Sequence, residues 1–290
     1  MHVWEEKIRI SGPYDFNQVL RRLSIDPLHS IDHTKRIIKV PIYVHHKPMV
    51  VTVQGIGTID KPIFLLQGEE EEVKEAAIER VCEIFHFKTS ITAIHEHFQG
   101  TDLQHIFVEH YGTPLVLDFD PYSCLLKCII HQQLNMTFAH TLSERFVKTF
   151  GTEIHGAWFY PQPAQLAHLQ VEQLRELQFS GRKAEYVLGI AKKTASGELD
   201  FNRLKTMSDE AVFNELIKIR GVGPWTIENF LMFGLGRPNL FPKADIGIQN
   251  ALRKQYNLDR KPTYEEMEQY SKEWEPYLSY ASLYLWRSIE

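Results

Sequence analysis

Two groups of residues in this sequence have types and spacing suited to chemistry. One is Gly221-Val222-Gly223-Pro224, and the other is Asp245, an acid directly ahead of Ile246-Gly247-Ile248-Gln249-Asn250-Ala251-Leu252. Glycine reaches backbone angles and close approaches closed to other residues, and proline suits the first position of a helix. The four-residue run therefore reads as a tight turn feeding a helix, whose free N–H groups and positive dipole end make a ready site for a phosphate. Without a ligand, the same residues make a glycine-capped corner. Asp245 also has two readings, as the N-cap of the helix that follows or as a carboxylate that stabilises positive charge developing beside it.

The elements around these residues must hold them in place. Residues 209–219 carry Val212, Leu216 and Ile219 at helical spacing behind a Ser208 N-cap, so a helix runs into the turn. Residues 225–233 and 246–256 read as the helices that leave it. Earlier, residues 7–11 and 37–44 alternate in hydropathy, 49–53 follow a turn expected at Lys47-Pro48, and 63–66 form a further short strand ahead of a helical stretch at 69–85. From about Lys88 the strand signals stop. Helices are expected at 90–98, 122–132, 138–150, 163–167, 171–177, 183–196 and 264–286, the last broken near Pro276. The fold class is thus α+β: a small N-terminal antiparallel sheet domain at 1–88, then an all-helical region at 89–290. Neither a repeat nor a low-complexity linker separates the two, so they are expected to pack together.

Composition narrows the class. The 290 residues are 43% hydrophobic and 12% aromatic, enough for an ordinary core. No apolar run reaches the roughly 18 residues of a membrane span, and Met1-His2-Val3-Trp4-Glu5-Glu6-Lys7 lacks the basic-then-apolar order of a signal peptide. An intracellular, cytoplasmic protein without a membrane partner is expected. Cys82, Cys124 and Cys128 cannot all pair and have no metal-ligand spacing, so they read as buried free thiols. The formal charge of −5 counts against a protein that lives on nucleic acid, although a basic strip can coexist with acidic faces such as Glu69 to Glu72.

Leu216-x-x-Ile219-x-Gly221-Val222-Gly223-Pro224-Trp225-Thr226 resembles the helix-hairpin-helix of the DNA glycosylase superfamily, and Asp245 lies where that family places its catalytic aspartate. The resemblance is closest to the bacterial 3-methyladenine DNA glycosylase II group. Pro13-Tyr14-Asp15-Phe16, Ile129-Ile130-His131-Gln132-Gln133-Leu134-Asn135, Gly181-Arg182-Lys183-Ala184-Glu185-Tyr186-Val187-Leu188 and Trp274-x-Pro276-Tyr277-x-Ser279-Tyr280-Ala281 carry it in the family's order.

This resemblance implies a two-lobed helical core with the active site in the cleft between lobes, acting on double-stranded DNA that contains damaged bases, as a nucleoid-associated monomer. It implies that Asp245 is catalytic. The target nucleotide would be flipped out and its base held against Trp225 and Trp286, each of which otherwise reads as a core tryptophan. Gly221, Gly223 and Pro224 would grip the backbone. Gln133 or Leu134 would fill the gap left by the base, while Gln132 and Gln133 otherwise read as hydrogen bonding the backbone to close a helix end. The family's hairpin also holds a monovalent or similar cation through main-chain carbonyls, which fall here at Ile217, Ile219 and Val222; no cofactor is expected for catalysis. Bifunctional relatives place a Schiff-base lysine where this chain has Trp225, so hydrolysis of alkylated purines without strand cleavage is implied. No Cys follows Cys128, so no iron–sulfur cluster is expected. Asn229, Ile246 and Arg22 stand where broad-specificity members have aromatic pocket residues. A non-catalytic DNA-binding protein using the same hairpin is the alternative, and the acidic charge weakens it.

Overall fold

The computed structural model describes residues 4–290; residues 1–3, at the start of the segment read for a leader, lie outside the described residues. An antiparallel five-stranded sheet comes first, built from β1 (Trp4–Arg9), β2 (Ser30–Asp32), β3 (Ile37–Val44), β4 (Lys47–Gly55) and β5 (Ile63–Gly68) in the order β1-β5-β4-β3-β2. Strict alternation along β3 sends Ile38, Val40, Ile42 and Val44 inward. They pack with Phe16, Val19 and Leu20 of α1 (Phe16–Leu23) and Ala77, Val81 and Ile84 of α2 (Lys74–Ile84) in one core. Ile91, Val116 and Phe119, from beyond residue 88, join it.

The hairpin between β3 and β4 corrects one expectation. Lys47 and Pro48 lie within β4, paired with Val44 and Tyr43, and the turn is His45-His46 at φ 49° and 65°. Two consecutive left-handed residues match the twist of the flanking strands, and histidine is among the residues that tolerate that conformation.

The remaining chain is helical: α3 (Ile91–His97), α4 (Gln104–Glu109), α5 (Pro121–His131), α6 (Met136–Phe150), α7 (Pro163–Leu166), α8 (Val171–Glu176), α9 (Gly181–Ala195), α10 (Phe201–Thr206), α11 (Asp209–Leu216), α12 (Pro224–Asn229), α13 (Ile246–Gln255), α14 (Tyr264–Ser271) and α15 (Leu278–Arg287). A π-helical turn, Phe230–Gly234, extends α12. Contrary to the expectation that strands end near Lys88, a second hairpin pairs β6 (Thr152–Ile154) with β7 (Ala157–Phe159). Its strands are too short to show alternation. It leans on β3, where Tyr43 meets Phe159 edge-on at 5.3 Å.

Two apolar cores divide the helices into two lobes. One gathers α5, α6, α9, α11 and α12 around Leu125, Ile129, Val187, Leu216 and Ile227. The other joins Phe98 and Phe107 to Ile248, Leu252, Trp274 and Tyr284, with Phe107 stacked between Phe98 and Tyr284 at 3.9 Å on each side. All three cysteines are free and buried. No helix is long and apolar enough to cross a membrane among the described residues.

A partly buried ion cluster, with Asp26 at its buried end, ties the sheet unit to α5. Lys127 Nζ lies 3.3 Å from Asp26 and 3.0 Å from Asp118. Burial alone would raise the Asp26 carboxyl, yet Lys127, His29 and the Leu28 N–H, which donates at 3.1 Å, hold it well below the carboxylate range. Lys127→Met strands two carboxylates and is expected to cost about 3–5 kcal/mol at neutral pH. Because Asp26 is depressed in the folded state, the wild-type advantage is full above about pH 4 and shrinks as pH falls below it. Thermal unfolding of both proteins from pH 3 to 8 checks this, and a constant difference refutes it.

Candidate active site

The turn after α11 is shaped by one obligatory glycine. Gly221 has φ +90°, and a Cβ there would run into the Tyr186 ring of α9. That ring carries the Arg220 guanidinium at 5.7 Å, and Arg220 pairs with Glu185 at 3.0 Å. Gly223 differs. It is the N-cap of α12 with φ −107°, and a Cβ on it would meet nothing within 4 Å. Its value is openness: without a capping side chain, and with Pro224 at the first helical position, the helix start leaves free N–H groups for an outside acceptor. The turn closes on itself through Ile219 N–H to Leu216 O and Val222 N–H to Ile219 O, both 3.0 Å.

Beside the turn lies the loop from α5 to α6. Gln133 is exposed in the left-handed region at φ +55°, whereas Leu134 is half-buried against the first lobe's core. Gln132 closes α5 through its backbone N–H, which donates to Ile129 O, while its side chain reaches away from that helix end. Its Nε2 donates across to Gly221 O at 2.9 Å and Thr226 Oγ1 at 2.7 Å. From α9, Lys183 Nζ donates to Ile130 O at 2.7 Å and Gln132 O at 2.9 Å, and burial lowers the pKa of its ammonium. The loop and the glycine turn are thus one hydrogen-bonded unit.

Asp245 sits where the two lobes meet. Its Oδ1 accepts the Ile248 N–H at 3.0 Å as an N-cap and the Trp286 indole N–H at 2.9 Å; its Oδ2 accepts the Trp225 indole N–H at 3.0 Å. The acid and both tryptophans singled out by sequence therefore come together, from α12, the start of α13 and α15. Gly247 keeps the crossing close, since a Cβ there would lie 2.9 Å from the Trp286 ring and 3.0 Å from Asp245 Oδ1. Phe233 tilts against Trp286 at 6.0 Å, and Arg22 lies 4.5 Å over Phe233. Asn229 is buried, its Nδ2 donating to Trp225 O at 2.8 Å, and Ile246 is 63% exposed.

Sequence reasoning passed over Glu228. One turn beyond Trp225, it is half-buried, and its pKa is pushed up to about 7, chiefly by burial; Lys243 opposes the rise and Asp245 adds to it. Its i,i+3 spacing from Trp225 was a readable signal.

Residues 126–276 match the HhH-GPD superfamily base excision DNA repair protein family. A Bacillus subtilis protein, YfjP, provisionally named a DNA-3-methyladenine glycosylase, is 50% identical over 99% of this chain and all of its own length. Among solved structures, a 3-methyladenine DNA-glycosylase from Archaeoglobus fulgidus superposes with a TM-score of 0.85 at 22% identity, covering 97% of each chain. An 8-oxoguanine glycosylase/lyase from Clostridium acetobutylicum, in complex with double-stranded DNA, has a TM-score of 0.75 at 18% identity over 99% of this chain and 97% of its own. This chain belongs to the HhH-GPD superfamily of base excision DNA repair proteins and, within it, to the DNA glycosylases of the 3-methyladenine type.

The two glycines make separable predictions. Gly221→Ala forces a strained backbone and displaces Tyr186, so it is expected to lose about 1–3 kcal/mol of stability together with DNA affinity. Gly223→Ala is expected to melt like the wild type while binding duplex DNA more weakly. Paired melting and DNA titrations decide this; equal stability loss in both variants refutes the distinction.

Proposed function

We propose that this protein hydrolyses the N-glycosidic bond of alkylated purines in duplex DNA, with Asp245 as the catalytic carboxylate. The observation that carries the reading is the Asp245 carboxylate at the junction of the lobes, oriented by two indole N–H donors and a helix N-terminus. Cleavage builds positive charge on the sugar, so a fixed carboxylate stabilises the transition state more than the uncharged sugar of the ground state. The same group orients the attacking water. Purines alkylated on a ring nitrogen already carry positive charge and leave without protonation.

Reaching the bond requires flipping the nucleotide out, at a cost of a few kcal/mol. In this reading Gln133, exposed and in a left-handed conformation, fills the vacated space, and Leu134 packs behind it. The indole edges of Trp225 and Trp286 are occupied by Asp245 and Phe233 leans on Trp286, so in this reading the base stacks on a face of Trp225 or on the side of Trp286 away from Phe233. An indole face attracts a cationic base by about 0.5–2 kcal/mol. The α12 N-terminus, with Gly221, Gly223 and Pro224, takes a backbone phosphate.

A cation at the hairpin belongs to the same reading. Ile217 and Val222 carbonyls accept no hydrogen bond among the described residues, and Ile219 O accepts one, from Val222, so all three oxygens keep lone pairs for a hard cation. Such an ion would add positive charge beside the phosphate.

Trp225 occupies the place of the lyase lysine in bifunctional relatives, so the reaction ends at an abasic site with the strand intact. Incubated with duplex DNA bearing 7-methylguanine, the wild type is expected to release the base, and Asp245→Asn to lose about 10²–10³-fold in rate while still binding DNA. Borohydride is expected to trap no protein–DNA adduct. Base release by Asp245→Asn at the wild-type rate would remove Asp245 from the mechanism, and a trapped adduct would overturn the monofunctional reading.

A further inference from the structure

The site holds a second acid that the reaction on cationic bases does not use. Glu228 lies on α12 three residues after Trp225, hence on the same helix face as the residue whose indole reaches Asp245. It is half-buried, and its carboxyl group makes no hydrogen bond or ion pair among the described residues. The charges acting on it are Lys243 and Asp245; none comes from α5 or α11, which pack against α12. Lys243 is turned to Glu268, with which it pairs, and lies 5.9 Å from the Tyr264 ring. A partly dry carboxyl group without a partner, within the field of an acid fixed by three donors, is poorly placed for stability. It is well placed to give a proton.

We propose that Glu228 is a general acid for the departure of uncharged damaged purines, extending the enzyme beyond bases that leave as cations. The inference rests on the hydrolytic reading above. As the bond between C1′ and the purine nitrogen breaks, its electron pair goes to the base, and the Glu228 carboxyl proton passes to a ring nitrogen of that base. Water adds its oxygen to C1′, and the proton it sheds restores Glu228 through solvent. The sum is damaged nucleotide plus water giving free base plus abasic site. An acid with a pKa near 7 is matched to this task at neutral pH. A cationic base needs no such proton, so the residue separates two substrate classes.

The test compares duplexes bearing hypoxanthine, uncharged, with duplexes bearing 7-methylguanine, cationic. Wild-type protein is expected to release both, the hypoxanthine rate falling above about pH 7 and the 7-methylguanine rate staying level. Glu228→Gln is expected to lose about a hundredfold on hypoxanthine and less than about threefold on 7-methylguanine, and Glu228→Asp to regain some of the loss. Parallel loss on both substrates, or no loss on hypoxanthine, overturns the proposal. So does a wild type that releases 7-methylguanine alone, and that result leaves the proposed function standing. A wild type that releases neither base removes the hydrolytic reading and the proposal with it. Stability gives a readout independent of activity. A carboxyl raised to about 7 from its ordinary 4.5 costs stability progressively as pH rises through that window. Glu228→Gln lacks this cost, so its melting temperature is expected to rise relative to wild type between pH 5 and pH 8. A difference independent of pH overturns the proposal.

Discussion

The site depends on one carboxylate shared by three donors. Asp245 caps α13, and its oxygens also take an indole N–H from each lobe, from Trp225 and from Trp286. An ionised carboxylate is an acceptor only, with room for all three bonds. Each bond fixes something different: the Ile248 N–H sets the start of α13, Trp225 sets the roll of α12, and Trp286 sets the end of α15. Rotating the acid would break all three together. Preorganisation of this kind lets a charge act on a transition state without first reorienting its surroundings.

The constraint extends outward through α12. That helix is capped by Gly223, just past Gly221, whose carbonyl accepts from Gln132, and Lys183 holds the end of α5 and the loop after it by the carbonyls of Ile130 and Gln132. Acid, glycine turn and exposed Gln133 therefore belong to one packed unit. This arrangement suits a chain with a formal charge of −5. Its net charge adds no general attraction to phosphates, and oriented backbone N–H groups supply local positive potential whatever the charge of the surrounding surface.

Local chemistry was legible in the sequence, and long-range chemistry was not. The glycine turn, the Asp245 cap and most helices follow from residues within a few positions of one another, and the alternation of β3 gave its bounds directly. The β6–β7 hairpin escaped because three-residue strands show no period, and the His45-His46 turn because histidine is a weak turn signal beside a proline. The second lobe draws on Phe98 and Phe107 as well as Ile248 and Tyr284, a partnership that no local pattern encodes. Gln132 is a similar case: its glutamine type indicated hydrogen bonding, but its acceptor on Gly221 lies 89 positions away. Trp225 is singled out by its place after the glycine turn and by the resemblance; Glu228 follows it at i,i+3, yet only burial distinguishes a site acid from a solvated one.

Three non-aromatic side chains around the Trp225–Asp245–Trp286 cluster bear on its electrostatics. Arg22 stands over Phe233, which leans on Trp286, so a fixed positive charge lies behind the aromatic wall on that side. Burial lowers the pKa of this guanidinium while Asp118 and Glu290 oppose the change, and arginine keeps its charge in proteins. Coulomb repulsion falls only slowly with distance where water is excluded. On the reading that the indole faces hold the base, the part of this charge that Asp118 and Glu290 leave uncompensated would offset some of the attraction for a positively charged base, and an uncharged base would not feel that penalty. Asn229, spent on the Trp225 carbonyl, and Ile246, exposed at the rim, add no further ring to favour a cation. On the proposed function, weaker binding of cations would lower the selectivity for bases that leave unaided, the setting in which the proposed proton donor Glu228 would change the range of substrates.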